Sequence, residues 1–175
     1  AFESAKKINM ENLICEIEKQ ANVYLAKLNE GDFKGVIRIV RLANGAAKFE
    51  LVDDFGEVFQ PNTALETTVN MAVLFAISEL TALKRENNYP LIFDAPTSSF
   101  EESKEKDFFN IISELDKQCI IVTKSFLKHT NGKRADLKLD SLEELKGTIY
   151  RISKKEPFND TDIATIQTQI SCIKN

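Results

Sequence analysis

The chain has 175 residues, 43% hydrophobic and 29% charged, with a formal net charge of −4, the make-up of a soluble globular protein able to bury a sizeable core. The acidic balance argues against a domain that grips nucleic acid unaided, since such surfaces are basic. The longest apolar run, Met71 to Ile77, is far below the roughly 20 residues a membrane span needs, and three widely spaced cysteines (Cys15, Cys119, Cys172) form no metal-ligand pattern and fit a reduced, cytoplasmic setting.

No charged-then-apolar leader opens the chain, and the first residue is alanine; an excised or processed fragment is the expectation. Met10, Leu13, Ile14, Ile17, Ala21, Tyr24, Leu25 and Leu28 then recur at steps of three and four, predicting an apolar stripe on a helix of about five turns. The spacing fits both the return of a coiled coil lying upstream and an amphipathic helix packed on a sheet. Residues 1–30 are assigned to this helix and 31–175 to the lobe that follows.

Val36 to Leu42 and Lys48 to Asp53 read as strands around Asn44-Gly45, a dipeptide that supplies the positive φ angles of a tight hairpin. Asp54-Phe55-Gly56 makes a second turn into Glu57-Val58-Phe59, and the three runs predict an antiparallel meander. After Pro61, a helix is expected from about Ala64 to Lys84. Its Val69, Ala72, Val73, Phe75, Ala76, Ile77, Leu80 and Leu83 cover most of the circumference and mark it as central.

Past the polar break Arg85 to Asn88, Pro90-Leu91-Ile92-Phe93-Asp94 and Cys119-Ile120-Ile121-Val122-Thr123 are continuous apolar runs suited to strands buried on both faces. A helix from about Glu101 to Asp116, with Phe108, Ile111, Ile112 and Leu115 inward, joins them into a parallel βαβ unit. A strand at Thr148 to Ile152 and a helix from about Asp160 to Ile173 complete the order. The fold class is α/β.

Three segments carry candidate chemistry. Asp94 ends a buried strand, where open α/β sheets bind ligands, and with phosphate present its carboxylate can hold the water shell of Mg²⁺. The competing reading is a strand followed by a helix with a Ser99/Glu102 capping box. Upstream, Asn62-Thr63-Ala64-Leu65-Glu66 opens the long helix, and Thr63 and Glu66 keep capping-box spacing. Free N–H groups at such a helix start can meet a phosphate, although an ordinary helix start has the same appearance. Ile120-Ile121-Val122-Thr123-Lys124 ends in a lysine that either donates to phosphate or is simply solvated.

The run Leu91-Ile92-Phe93-Asp94-Ala95-Pro96-Thr97-Ser98-Ser99-Phe100-Glu101 resembles the Walker B strand and D-loop of ABC-type ATPases, four apolar residues followed by D-E-P-T-S-A-L-D. Asp94, Pro96, Thr97 and Ser98 match identically. The segment from Thr63 to Glu66 occupies the place of the family's L-S-G-G-E/Q signature, with Ala64 and Leu65 where the glycines stand. Lys124 occupies the place of the switch histidine. The order of segments resembles the C-terminal lobe of SMC, SbcC-like and DndD-like ATPase heads, from about Met10 to Lys124. That resemblance implies ATP and Mg²⁺ as cofactors, with Asp94 holding the metal. Thr63, Ala64, Leu65, Glu66, Thr97, Ser98, Ser99 and Lys124 would lie along the nucleotide. It implies a coiled coil entering at the first helix, a second head as dimer partner, and DNA as the substrate of the complete protein, with no membrane role.

Two features qualify that expectation. No G-x-x-x-x-G-K-[ST] loop occurs, the six glycines being scattered, so the phosphate cradle must come from an N-terminal Walker A lobe. Ala95 replaces the glutamate that orients the attacking water, and a methyl group can take no proton. A slow natural ATPase, a hydrolysis-blocking substitution and a base from elsewhere all fit. A non-hydrolysing dimerisation or scaffold module is the reading from a different functional class. The single histidine, His129, and the pairs Lys133-Arg134 and Lys154-Lys155 read as solvated positions.

Overall fold

The computed structural model describes residues 2–29, 33–84, 89–128, 136–156, 159 and 161–175. His129 and Lys133-Arg134 lie outside these. The chain divides into two compact units, 1–125 and 126–175, which are taken separately.

In the first unit, helix α1 runs Phe2–Asn29, with Glu3 in its first turn and Lys27 in its last complementing the helix dipole. Of the predicted stripe, Ala21, Tyr24, Leu25 and Leu28 are buried, whereas Met10 and Leu13 are exposed. Strands β1 (Gly35–Arg41), β2 (Ala47–Asp53) and β3 (Val58–Phe59) form the antiparallel meander, in the order β1-β2-β3. The outer edge of β1 is satisfied by α1 itself. The Asn22 amide accepts from the Ile37 N–H at 2.7 Å and donates to its carbonyl at 2.9 Å, and Glu18 accepts from the Ile39 N–H at 2.7 Å. An edge strand that would otherwise offer unpaired donors is thereby closed. Gly35 is required here, because a Cβ would collide with the Val52 carbonyl oxygen and lie 2.7 Å from the Phe33 ring.

The first hairpin is looser than a two-residue turn. Leu42 N–H bonds the Ala46 carbonyl at 2.8 Å, and Gly45 takes the positive φ, +85°, while Asn44 instead accepts from the Ala46 N–H at 3.0 Å. The β2–β3 turn repeats this plan around Gly56.

Helix α2 spans Thr63–Lys84, β4 Leu91–Asp94, α3 Glu102–Glu114 and β5 Cys119–Val122. Strands β4 and β5 pair in parallel, with Asp94 opposite Val122. The core closes on Phe75 of α2, which is fully buried. Its ring centroid lies 5.5 Å from Tyr24, 6.0 Å from Phe93 and 6.1 Å from Phe108, and the last two rings meet edge-to-face at 5.5 Å.

In the second unit, a bridge joins Leu127 and Leu137, a short helix α4 spans Leu139–Glu143, and β6 (Ile149–Lys154) pairs antiparallel with β7 (Thr168–Lys174). The helix expected over 160–173 is therefore not formed. A single 3-10 turn, Ile163–Thr165, precedes a strand. Ile163, Ile166, Ile170 and Ile173 fall at three- and four-residue steps, but Thr168 to Ile173 is rich in β-branched residues that favour a pleated surface. The partner strand decides the outcome, with Ile152 opposite Ile170 and Tyr150 opposite Cys172.

Truncating the central ring tests this core. Phe75→Ala is expected to cost about 3–5 kcal/mol in urea denaturation, and Phe75→Leu clearly less; equal, small losses would mean the rings do not share one core. Burial pushes the Cys119 thiol above its ordinary range, so its thiolate fraction at neutral pH is low, whereas Cys15 and Cys172 are exposed. A disulfide reagent should therefore label two thiols quickly and Cys119 slowly, with the lag shrinking as pH rises.

Candidate functional site

The site is the carboxyl end of the β4–β5 pair. Alternation along β4 buries Phe93 and turns Asp94 outward, where it is exposed. The ladder extends one residue further, the Ala95 N–H donating to the Val122 carbonyl at 2.7 Å. Ala95 then adopts φ +46°, among the described residues the one non-glycine with positive φ. That left-handed conformation costs an L-residue roughly 1–2 kcal/mol and swings the chain out of the sheet. Nothing in the sequence marks it, because alanine has no polar side chain to favour the conformation.

The turn that follows is held by Ser98 N–H to the Ala95 carbonyl at 3.2 Å and Phe100 N–H to the Thr97 carbonyl at 3.0 Å. Thr97 is only 3% exposed. Its hydroxyl lies 2.8 Å from Glu105 Oε1 and 3.1 Å from Ser125 Oγ, and Ser125 Oγ lies 3.0 Å from Thr123 Oγ1. Glu105, Thr123 and Ser125 were not singled out by the sequence, since their pairing spans up to 28 residues and follows no local pattern.

At the start of α2 the cap is Asn62, one residue before the one expected. Its Oδ1 accepts from the Leu65 N–H, and its carbonyl from the Glu66 N–H, each at 2.9 Å. Thr63 and Ala64 thus form the first helical positions, Leu65 is buried in the core, and Thr63 and Glu66 are exposed. The Ser99/Glu102 capping box is absent as well. Helix α3 is preceded by Glu101 with no side-chain cap, and Ser99 Oγ instead donates to Thr67 Oγ1 at 3.4 Å. This bond draws the first turns of α2 against the segment after β4. Ser98 and Lys124 are exposed.

Among the described residues no group of three or more His, Cys, Asp or Glu could cage a metal. A lone outward carboxylate fits Mg²⁺, which typically takes one or two protein carboxylates and fills its octahedron with phosphate and water. No helix of the described residues is long and apolar enough to cross a membrane.

Two substitutions test the local geometry. Asn62→Ala should lower stability by about 1 kcal/mol, and Ala95→Gly should raise it by about 1 kcal/mol by removing the Cβ from a left-handed residue. Equilibrium unfolding measures both; a stabilising Asn62→Ala or a destabilising Ala95→Gly would contradict the cap or the backbone angle.

No family model matches the sequence, and no curated protein matches it. Solved structures do. A chain from the structural biochemistry of ATP-driven dimerization and DNA-stimulated activation of SMC ATPases matches with a TM-score of 0.63 at 16% identity, over 97% of this chain and 89% of that one. The Smc head bound to the C-winged helix domain of ScpA gives 0.66 at 15% identity, over 98% of this chain and 46% of that one. The Smc head with an extended coiled coil, bound to the C-terminal domain of ScpA from Pyrococcus furiosus, gives 0.65 at 15%, over 99% and 40%. This chain thus spans less than half the length of those two. Identities this low speak for the fold, and the fold is that of the C-terminal lobe of an SMC-type ATPase head.

Proposed function

We propose that this chain is the C-terminal lobe of an SMC-like ATPase acting on DNA in repair, chromosome maintenance or DNA-based defence. It binds ATP–Mg²⁺ between two heads once its own N-terminal Walker A lobe is in place, and it turns over slowly. The observation that carries this reading is Asp94, a solvent-facing carboxylate at the carboxyl end of a parallel strand, the position at which open α/β sheets bind ligands.

Each residue at the edge has a role in this reading. Asp94 would hold the water shell of Mg²⁺, and the bound ion would supply charge neutralisation for phosphoryl transfer. The amides of Leu65 and Glu66 are committed to Asn62, so the Thr63 and Ala64 amides are the first-turn donors of α2 that meet the nucleotide of the opposite head. Ser98, Ser99 and Lys124 border the same edge. Thr97 is buried and contributes by holding the turn. Ala95 orients no water, which leaves positioning and charge stabilisation as the means of catalysis.

Support for a composite head comes from the sheet. Parallel sheets are covered on both faces, yet Ile92, Ile120 and Val122 are exposed on β4 and β5; the N-terminal lobe would cover them. Phe2, Ile8, Met10 and Leu13, exposed along the first half of α1, suit a coiled coil entering the head. Such a protein works in the cytoplasm. Ala95 and Lys124 favour one competing reading, a head that dimerises without hydrolysis.

The test joins this lobe to its N-terminal lobe and follows ATP binding, dimerisation and turnover. Asp94→Ala should weaken Mg²⁺-dependent nucleotide binding by about 10-fold or more, and Ala95→Glu should raise turnover by about 100-fold. Unchanged binding in Asp94→Ala would remove the metal assignment. Dimers that form equally well without nucleotide would favour the scaffold.

A further inference from the structure

We infer that Glu105 is a positioning residue that locks the turn after β4 and the loop after β5 into one unit, acting through Thr97 and Ser125. The nucleotide-edge reading above supplies its consequence, but the coupling itself is independent of nucleotide.

Four side chains from three segments form the link: Thr97 in the turn after β4, Glu105 in the first turn of α3, and Thr123 and Ser125 just past β5. Each hydroxyl has one hydrogen to give, and a carboxylate accepts without donating. The Thr97 hydrogen goes to Glu105 at 2.8 Å. The Ser125 hydrogen must then serve the 3.1 Å contact to Thr97, and the Thr123 hydrogen the 3.0 Å contact to Ser125. Thr123 Oγ1 in turn accepts from the Ser125 N–H at 3.1 Å. The chain of bonds therefore has a single direction, Thr123 to Ser125 to Thr97 to Glu105, and each bond polarises the next. Glu105 is the sink that sets this direction. Without it the Thr97 hydroxyl can donate only toward Ser125, and the chain of bonds loses the charged acceptor that fixes its direction.

The location gives the link its importance. Thr97 lies three positions after Asp94, and Thr123 directly follows Val122, the register partner of Asp94. Beyond the Ala95-to-Val122 bond the strands have ended, and these side chains continue the connection across the edge. A displacement of Lys124 is thereby passed to Ser98 and Ser99, and the reverse.

Amide hydrogen exchange on the 175-residue chain, followed by NMR without nucleotide, tests the coupling. Ser125→Ala should speed exchange at the Ser98 and Phe100 amides by about 10-fold, although the substitution lies on the other loop. Glu105→Ala should speed the Ser125 amide by a similar factor. The Ala72 amide, in the centre of α2, reports global opening and should stay at its wild-type rate. Glu105→Gln keeps an acceptor for Thr97, and Thr97→Ser keeps the hydroxyl, so both should restore near wild-type exchange. Acceleration confined to the substituted segment, equal acceleration at Ala72, or no rescue by Glu105→Gln would each overturn the proposal. Because nucleotide is absent, such a failure leaves the ATPase reading standing, and a lobe that couples its loops yet never supports ATP binding would fail only that reading.

Discussion

The Phe75 ring sets the spacing of the first unit. It is fully buried and touches rings from three other elements: Tyr24 of α1, Phe93 of β4 and Phe108 of α3. Close-packed interiors have few voids and shift in discrete steps rather than deforming smoothly. The helix that enters the unit, the helix whose start lies near the site and the strand that carries Asp94 are thus held at fixed distances by one side chain. The α1–α2 seam has a polar fastening as well, with Gln20 and Tyr24 both donating to Glu79 Oε2. Burial, reinforced by the hydrogen bond to Glu79, pushes the Tyr24 phenol well above its ordinary range, so it remains a protonated donor at any physiological pH.

The placement of Asp94 follows from this core. Phe93 is anchored inward by its edge-to-face contact with Phe108, and strand alternation sends its neighbour outward. The next residue breaks the pattern, since Ala95 sits in a left-handed conformation that its side chain does nothing to favour. Such strain persists where the surroundings over-determine it. Here they do so through the Val122 carbonyl before the turn and the Thr97 network after it. The edge thus combines an outward carboxylate, a turn held from both sides and a methyl group at position 95.

Much of the first unit was legible in the sequence. The apolar periodicity of 64–84, the continuous runs at 91–94 and 119–122 and the turn residues around Gly45 and Gly56 placed helices and strands within a few residues of where they lie. The helix start at Asn62 was missed by one position because Asn62 and Thr63 are both good caps, and a single carbonyl oxygen aimed at the Leu65 N–H distinguishes them. The last segment has local spacing that points away from its structure. Its isoleucines satisfy a helical period, and the alternative needs a partner strand about twenty residues away.

By itself the sequence determined the order of elements as far as β5, the burial of α2 and the carboxylate at the end of β4, because these depend on residue spacing within a few positions of each other. Tertiary structure alone decided that 168–174 is a strand, that Asn22 and Glu18 seal the edge of β1, that Ser99 reaches Thr67 instead of capping its own helix, and that Glu105 anchors Thr97 and Ser125. The physical reason is common to all four. A strand or a buried polar side chain is stabilised by a partner, and that partner's position is set by the packing of the whole unit rather than by its neighbours in the chain.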